Sequence, residues 1–246
     1  MFHQIKRLIR KTFNFFGYEI MKLANISIGF DLHGWVNTLN IESIIDIGSN
    51  EGQFIQAINA VLPGKKIYAF EPIKSVFDKL LINTKGINVT AFNVGLSDKS
   101  TNLEINISQN LESSSVLDME DVHKRIYPES EYVRKETIKL ERLDDIIDVS
   151  KIQKNILIKI DVQGYENMVI SGGGNTISNA SAVIIEFAYE PIYKGQWLFD
   201  ETFRYFTANG FRFIGLANQA TNDVIGVPVF GDALFVKESL AKKLYS

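Results

Sequence analysis

Ile44-Ile45-Asp46-Ile47-Gly48-Ser49-Asn50-Glu51-Gly52 carries an apolar run into a turn bounded by two glycines, and the helical spacing of Phe54, Ile55 and Ile58 follows at once. A strand entering a tight turn and then a helix opens a βαβ unit, and in a doubly wound sheet the ligand crevice lies beyond the carboxyl end of that strand. Gly48 and Gly52 would let a ligand approach the backbone closely, since neither carries a side chain. An ordinary strand-to-helix turn would use the same glycines, so the neighbouring strand has to be read with it.

That strand ends Tyr68-Ala69-Phe70-Glu71-Pro72, one βαβ unit downstream. It sets a carboxylate at its tip, beside the first crevice, where an acid can accept both hydroxyls of a ribose. The two tips together predict a nucleoside-binding edge. The spacing Gly-x-x-x-Gly lacks the Gly-x-Gly-x-x-Gly of a dinucleotide site, and no Gly-Lys-Ser/Thr follows to make a P-loop. The one Tyr-x-x-x-Lys pair, Tyr18 with Lys22, lies upstream of the nucleotide unit, away from where a short-chain dehydrogenase would carry it.

Further apolar runs alternate with helical stretches, which predicts an α/β, doubly wound, mostly parallel sheet. Strands are expected at 43–47, 66–70, 89–94, 156–160, 183–187, 211–216 and 233–236, seven in all, the last two forming a terminal antiparallel hairpin. Two extra strands are expected at 102–107 and 137–143, around a polar insertion at about 108–136 that reads as a lid or a loop. Gly172, Gly173 and Gly174 read as a helix stop, glycine accepting the left-handed conformation there.

The fourth strand is the most unusual: Ile158-Lys159-Ile160-Asp161-Val162-Gln163-Gly164-Tyr165-Glu166. Period two puts Lys159 and Asp161 on one face of a central strand. A buried lysine must be paired, and the carboxylates expected beside it are Asp46 on one neighbouring strand and Glu186 on the other.

Taken in order, the turn from Asp46 to Gly52, Phe70-Glu71-Pro72, Gly95-Leu96-Ser97-Asp98, Ser113-Ser114-Ser115, the stretch 140–145 and the stretch 159–166 resemble the FkbM-type methyltransferases, over roughly residues 43–190. The resemblance implies a Rossmann-like class I fold and an S-adenosylmethionine-dependent enzyme that methylates hydroxyl groups on sugars, glycans, glycolipids or related natural products. It assigns the cofactor edge to Asp46, Gly48, Ser49, Asn50, Gly52, Glu71, Pro72, Ser97, Asp98 and Asp161. Where members often carry an acid after the aspartate of the fourth strand, this chain has Gln163. A hydroxyl is a poor nucleophile at neutral pH, so a base or a metal should assist its deprotonation. Asp161 is the first candidate for the base or acceptor-orienting group, with Glu186 and His123 in reserve. A divalent metal held by Asp161 and a second carboxylate is compatible with the sequence but not specified by it.

The formal net charge of −3 provides no positive field to gather nucleic acid, which is not expected as a partner. Cysteine is absent, excluding disulfides, thiolate metal sites and a thiol nucleophile. No apolar stretch is long enough to span a bilayer and none resembles a signal-peptide core, so a cytoplasmic location is expected. Residues 1–40 read as a helical extension to a methyltransferase domain at 41–246. Within the extension, Phe2, Ile5, Ile9, Phe13 and Phe16 oppose Lys6, Arg7, Arg10 and Lys11 on a basic amphipathic helix. Its apolar face would pack on its own domain or serve as a peripheral membrane contact. Nothing in the sequence sets an oligomeric state. Two rival functions are a NAD-linked oxidoreductase and a non-catalytic nucleoside-binding scaffold subunit.

Overall fold

A computed structural model describes residues 32–108, 114–120, 132–221 and 226–245. The amphipathic segment at 2–16, His123, Ser113 and most of the 108–136 stretch lie outside the described residues.

A short helix α1 (Leu32–Thr38) precedes β1 (Ser43–Ile47), α2 (Gln53–Val61), β2 (Lys66–Phe70), α3 (Lys74–Asn83) and β3 (Val89–Phe92). A side sheet follows, made of β4 (Gly95–Leu96), β5 (Thr101–Ser108) and β6 (Tyr132–Glu141). The chain returns through α4 (Leu143–Ile146) to β7 (Ile156–Ile160), α5 (Glu166–Gly172), α6 (Gly174–Ser178) and β8 (Ala180–Ala188). It closes with α7 (Phe199–Ala208), β9 (Phe211–Thr221), β10 (Pro228–Lys237) and α8 (Glu238–Ala241).

The main sheet has seven strands in the order β3-β2-β1-β7-β8-β10-β9. The first five run parallel, and β10 is antiparallel to both β8 and β9. This is the doubly wound sheet with a terminal hairpin that the sequence predicts. β1 is buried at every position and β7 at all but Lys159, because helices cover both faces and alternation gives way to continuous Ile and Leu. Phe54, Ile55 and Ile58 bury one face of α2, and beyond β8 Phe206 stacks on Phe235 with centroids 4.6 Å apart.

Several expected boundaries move, each for a local reason. The third strand stops at Phe92, where the Asn93 side-chain Nδ2 donates to the carbonyls of Glu71 and Pro72 at 2.9 and 3.0 Å in place of ladder bonds. β6 begins at Tyr132 and ends at Glu141, and Leu143, expected in that strand, instead starts α4 as a buried residue. The hairpin strands run to Thr221 and from Pro228, longer than expected, because the edge strand β9 can place Asn218 and Gln219 opposite Asp232 and Gly231 without burying them in an apolar layer. The helix-stop reading of Gly172–Gly174 fails in its reason. Gly173 has φ −121°, an ordinary value, and Gly174 begins α6. What requires glycine is packing: a Cβ on Gly172 would overlap the Ser97 carbonyl oxygen, and one on Gly173 would lie 2.9 Å from Leu143 Cδ2.

Among the described residues no helix is long and apolar enough to cross a membrane.

Candidate functional site

The carboxyl ends of β1, β2, β7 and β8 converge where the sequence places the site. The Gly48 and Ser49 amides both donate to the Phe70 carbonyl, at 3.1 and 3.0 Å, and the Asp161 amide donates to the Ile47 carbonyl at 3.0 Å. Gly48 has φ +77°, and a Cβ there would overlap the Asp161 carbonyl oxygen. The close approach it permits is thus first of all that of the neighbouring chain. Gly52 likewise faces Thr84 and Leu80, whose side-chain ends would lie 2.9 and 3.0 Å from an added Cβ. The Ser49 hydroxyl is committed to the backbone, donating to the Asp46 carbonyl at 2.9 Å and accepting from the Phe70 amide at 3.1 Å.

Glu71 is buried at the tip of β2. Its two oxygens accept the Asn50 amide at 3.1 Å and the Ile73 amide at 2.8 Å. Each oxygen has a further lone pair to offer. Burial pushes its carboxyl up to about 7, against the lowering effect of the two amides. Asp46 is fully buried, and neither of its carboxylate oxygens has a hydrogen-bond partner among the described residues. Burial raises its carboxyl, while the Lys159 ammonium acts in the opposite direction.

Strand register assembles the rest. Asp46 lies opposite Lys159 across β1 and β7, Lys159 opposite Ile184 of β8, and Asp232 of β10 opposite Glu186. Since residues two apart share a face, Asp46, Lys159, Asp161, Glu186 and Asp232 line one side of the sheet. Lys159 Nζ bonds Asp161 Oδ2 at 2.9 Å and sits 5.7 Å from the Phe54 ring centroid. Burial pulls the Lys159 ammonium down, but Asp161, Asp46 and Asp232 together hold it above its usual value. The lysine therefore has Asp46 as a neighbour, as expected, but its direct ion pair is with Asp161 on its own chain segment.

Glu186 is reached through a residue outside the expected set. Gln163 Nε2 donates to Asp161 Oδ1 at 2.9 Å and to Glu186 Oε2 at 3.1 Å, and Gln163 Oε1 accepts the Tyr193 hydroxyl at 2.9 Å. Glu166 turns back on the same loop, one oxygen accepting the amides of Val162 and Gly164 at 3.0 and 3.1 Å, and burial raises it to about 7. Burial and the Asp161 charge raise Asp232 to about 6. Gln163 and Glu166 stand inside the fourth-strand stretch and were legible there; Asp232 and Tyr193 have no local signal and enter only through register and loop packing.

Ser97 is buried, its hydroxyl 2.9 Å from Asp98 Oδ1 and 3.3 Å from the Tyr165 hydroxyl. Pro72 packs at the same corner, 3.4 Å from where a Cβ of Gly95 would stand. The stretch 114–120 of the insertion is laced in place: Ser115 bridges Asn106, Met119 bridges Tyr193, and the Ser115 hydroxyl donates to the Gln163 carbonyl at 2.6 Å. Among the described residues no group of three or more His, Asp or Glu is placed to hold a metal ion. A separate cavity at the amino edge of the sheet, lined by Ser43, Lys65, Lys66, Tyr68, Asn88 and Lys151 among others, contains none of the candidate residues.

The raised carboxyls have a measurable consequence. Glu71 and Glu166 start from 4.5 and are held near 7 in the fold, so the folded protein keeps protons that the unfolded chain has lost. Their contribution to stability is full below about pH 4.5 and lost as pH rises through about 7. The ligand-free protein is expected to melt at a lower temperature at about pH 8 than at about pH 5, and Glu166→Gln should flatten that slope. Melting curves across this range check both statements.

A family model described as the methyltransferase FkbM domain matches residues 46–213. The 2-O-methyltransferase NoeI of Sinorhizobium fredii is 26% identical over 160 residues, 62% of this chain and 66% of that protein. Methyltransferase sdnD of Sordaria araneosa is 30% identical over 154 residues, 52% of this chain and 59% of that protein. Hexuronic acid methyltransferase AglP of Haloferax volcanii is 28% identical over 145 residues, 57% of this chain and 54% of that protein. The chain thus spans between about half and two thirds of the length of these relatives. Among solved structures, magnesium protoporphyrin IX methyltransferase from Synechocystis PCC 6803 aligns with a TM-score of 0.45 at 11% identity, covering 94% of this chain and 99% of that one.

Proposed function

The chain belongs to the FkbM methyltransferase family, and we propose that it transfers a methyl group from S-adenosylmethionine to a hydroxyl of a sugar, glycan, glycolipid or related natural product. The observation that carries this reading is the Asp161 carboxylate, held from two sides by Lys159 and Gln163 and tied by its own amide to the end of β1. The relatives named as a 2-O-methyltransferase and a hexuronic acid methyltransferase support a carbohydrate hydroxyl as acceptor.

The residues fit the cofactor. Asp46 has a buried carboxylate that feels the Lys159 charge but has no hydrogen-bond partner among the described residues, and Glu71 has acceptor capacity left after binding two amides. An acid-rich edge suits a ligand that brings donors and a positive charge. The cofactor supplies the electrophilic methyl carbon. Glu71 accepts the ribose hydroxyls, and Asn50, whose amide already meets Glu71, closes the turn beside them. Asp161 would receive the acceptor's hydroxyl proton on a carboxylate oxygen and align the acceptor oxygen for in-line attack on the methyl carbon, whose bond to sulfur breaks as the new one forms; positioning is the larger task. Ser97 and Asp98 form the outer wall of the nucleoside edge.

The test is a titration of the protein with S-adenosylmethionine and with NADH, then a screen with methyl-labelled cofactor over sugar nucleotides, glycans and lipid-linked saccharides. Binding of NADH alone would make it an oxidoreductase, and cofactor binding with no labelled product in any class would make it a scaffold subunit. Within this reading, Glu71→Ala should weaken S-adenosylmethionine by about 1.5 to 3 kcal/mol, roughly 10- to 150-fold, through lost charge-assisted bonds. Calorimetry showing unchanged affinity in a folded variant would remove Glu71 from the site.

A further inference from the structure

We propose that Gln163 is a positioning residue that couples two carboxylates of different roles: its amide, oriented by the Tyr193 hydroxyl, donates to both Asp161 and Glu186 and restrains the tendency of Glu186 to hold a proton, while Asp161, ion-paired to Lys159, is left as the acceptor. The titration part of this stands on its own, and only its catalytic meaning rests on the methyl-transfer reading above.

The geometry sets the amide's direction. With Nε2 between the carboxylates, both N–H groups meet oxygens, at 2.9 Å on Asp161 and 3.1 Å on Glu186. Turned over, the amide would aim its own oxygen at two acceptors. Tyr193 prevents this by donating to Oε1 at 2.9 Å, and burial, followed by the neighbouring charge of Glu186, keeps that phenol protonated and a donor. The backbone is built around the same contact. Gln163 has φ +55°, an uncommon conformation for a residue with a side chain. The Ser115 hydroxyl holds its carbonyl at 2.6 Å, and Tyr193 packs where a Cβ on Gly164 would stand.

The two carboxylates are not equivalent. Asp161 has a second donor, the Lys159 ammonium on Oδ2 at 2.9 Å. Glu186 has no ammonium bonded to it among the described residues and faces the charges of Asp161, Glu166 and Asp232, with Asp46 beyond Lys159. Burial first, and the charges of Asp161, Glu166 and Asp232 next, raise Glu186 well above the usual carboxyl range, against the lowering effect of the Lys159 ammonium. Asp161, ion-paired on one oxygen and amide-bonded on the other, is the one suited to accept a substrate proton.

The experiment uses the full chain without cofactor, labelled with carbon-13 at the Asp and Glu carboxyls, and follows each resonance with pH. The signals of Glu186 and Asp161 are identified by their loss in Glu186→Gln and Asp161→Asn. In the wild type, Glu186 should titrate well above the usual carboxyl range. Gln163→Leu removes a donor to the charged form and should move the Glu186 midpoint upward; Tyr193→Phe should move it the same way by less; and Gln163→Glu, adding a third carboxylate, should move it by at least about one pH unit. Variants that melt lower but leave the Glu186 midpoint where it was would reduce Gln163 and Tyr193 to structural props. A wild type in which Glu186 titrates as an ordinary carboxyl would also overturn the assignment. Should Gln163→Leu fail to fold, the two near-isosteric variants decide the question. A failed activity screen alongside shifted midpoints would indict the methyl-transfer reading and leave this one intact.

Discussion

Asp161→Asn is expected to fold, to bind S-adenosylmethionine nearly as well as the wild type, and to transfer methyl groups roughly 10²-fold more slowly or worse, the scale of a lost general base. Breaking a buried ion pair commonly costs about 3 to 5 kcal/mol, because one charge is left without a partner. That penalty is reduced here. Lys159 keeps the fields of Asp46 and Asp232, the asparagine oxygen can still accept its ammonium, and the pair is not sealed, with side chains 15% and 29% exposed. A loss of about 1 to 2 kcal/mol is expected, the scale of a charge-assisted hydrogen bond weakened to a neutral one. Melting temperature and single-turnover rate on the same variant separate the roles. A drop in melting temperature of only a few degrees with slow transfer marks the base; a large drop with near-normal transfer marks a counter-ion. If neither changes, the base is to be sought at Glu186 and His123.

Gly48→Val should abolish the fold or cost more than about 4 kcal/mol, placing it among the rare severe substitutions. A branched Cβ would overlap the Asp161 carbonyl, and φ +77° is strained for any side chain, most of all a β-branched one. Backbone, unlike a flexible side chain, cannot retreat without breaking the Asp161 amide's bond to Ile47. Gly52→Ala is the internal comparison. Its Cβ would meet only the ends of Thr84 and Leu80, so a loss of about 1 to 2 kcal/mol is expected, mainly from the left-handed backbone. Urea unfolding of both variants checks the ranking. A Gly48→Val protein as stable as Gly52→Ala would mean that the two strand ends are not locked together.

These two positions also show what the sequence could reveal. β1, β2 and β7 have the expected bounds, because strands buried on both faces spell themselves as short Ile-rich runs closed by polar turns. The edges of the sheet were less readable: β9 is lined with polar residues that an edge strand tolerates, and β3 ends at a side chain, Asn93, that replaces the ladder. In the site, Lys159 announced itself as a cation on a central strand, and Asp46 as its neighbour followed from strand order alone. Asp232 did not, because an antiparallel register depends on hairpin bulges that composition does not encode. Tyr193 belongs to a loop with no periodicity, and its bond to Gln163 joins two residues 30 apart in sequence, which no local pattern encodes. Gly48 was recognisable as essential, but sequence could not say whether a ligand or the chain itself would come so close.

The lacing of 114–120 onto Asn106, Tyr193 and Gln163 bears on how this protein could be re-engineered. Loops between strands are commonly treated as interchangeable cassettes, to be shortened for a smaller enzyme or swapped to recruit a new acceptor. Here the Ser115 hydroxyl is a tie rod between the side sheet and the loop that carries Gln163. A graft that preserved every residue of the seven-stranded sheet but exchanged the insertion would leave Gln163 without that anchor, so transplantation has to carry both pieces together.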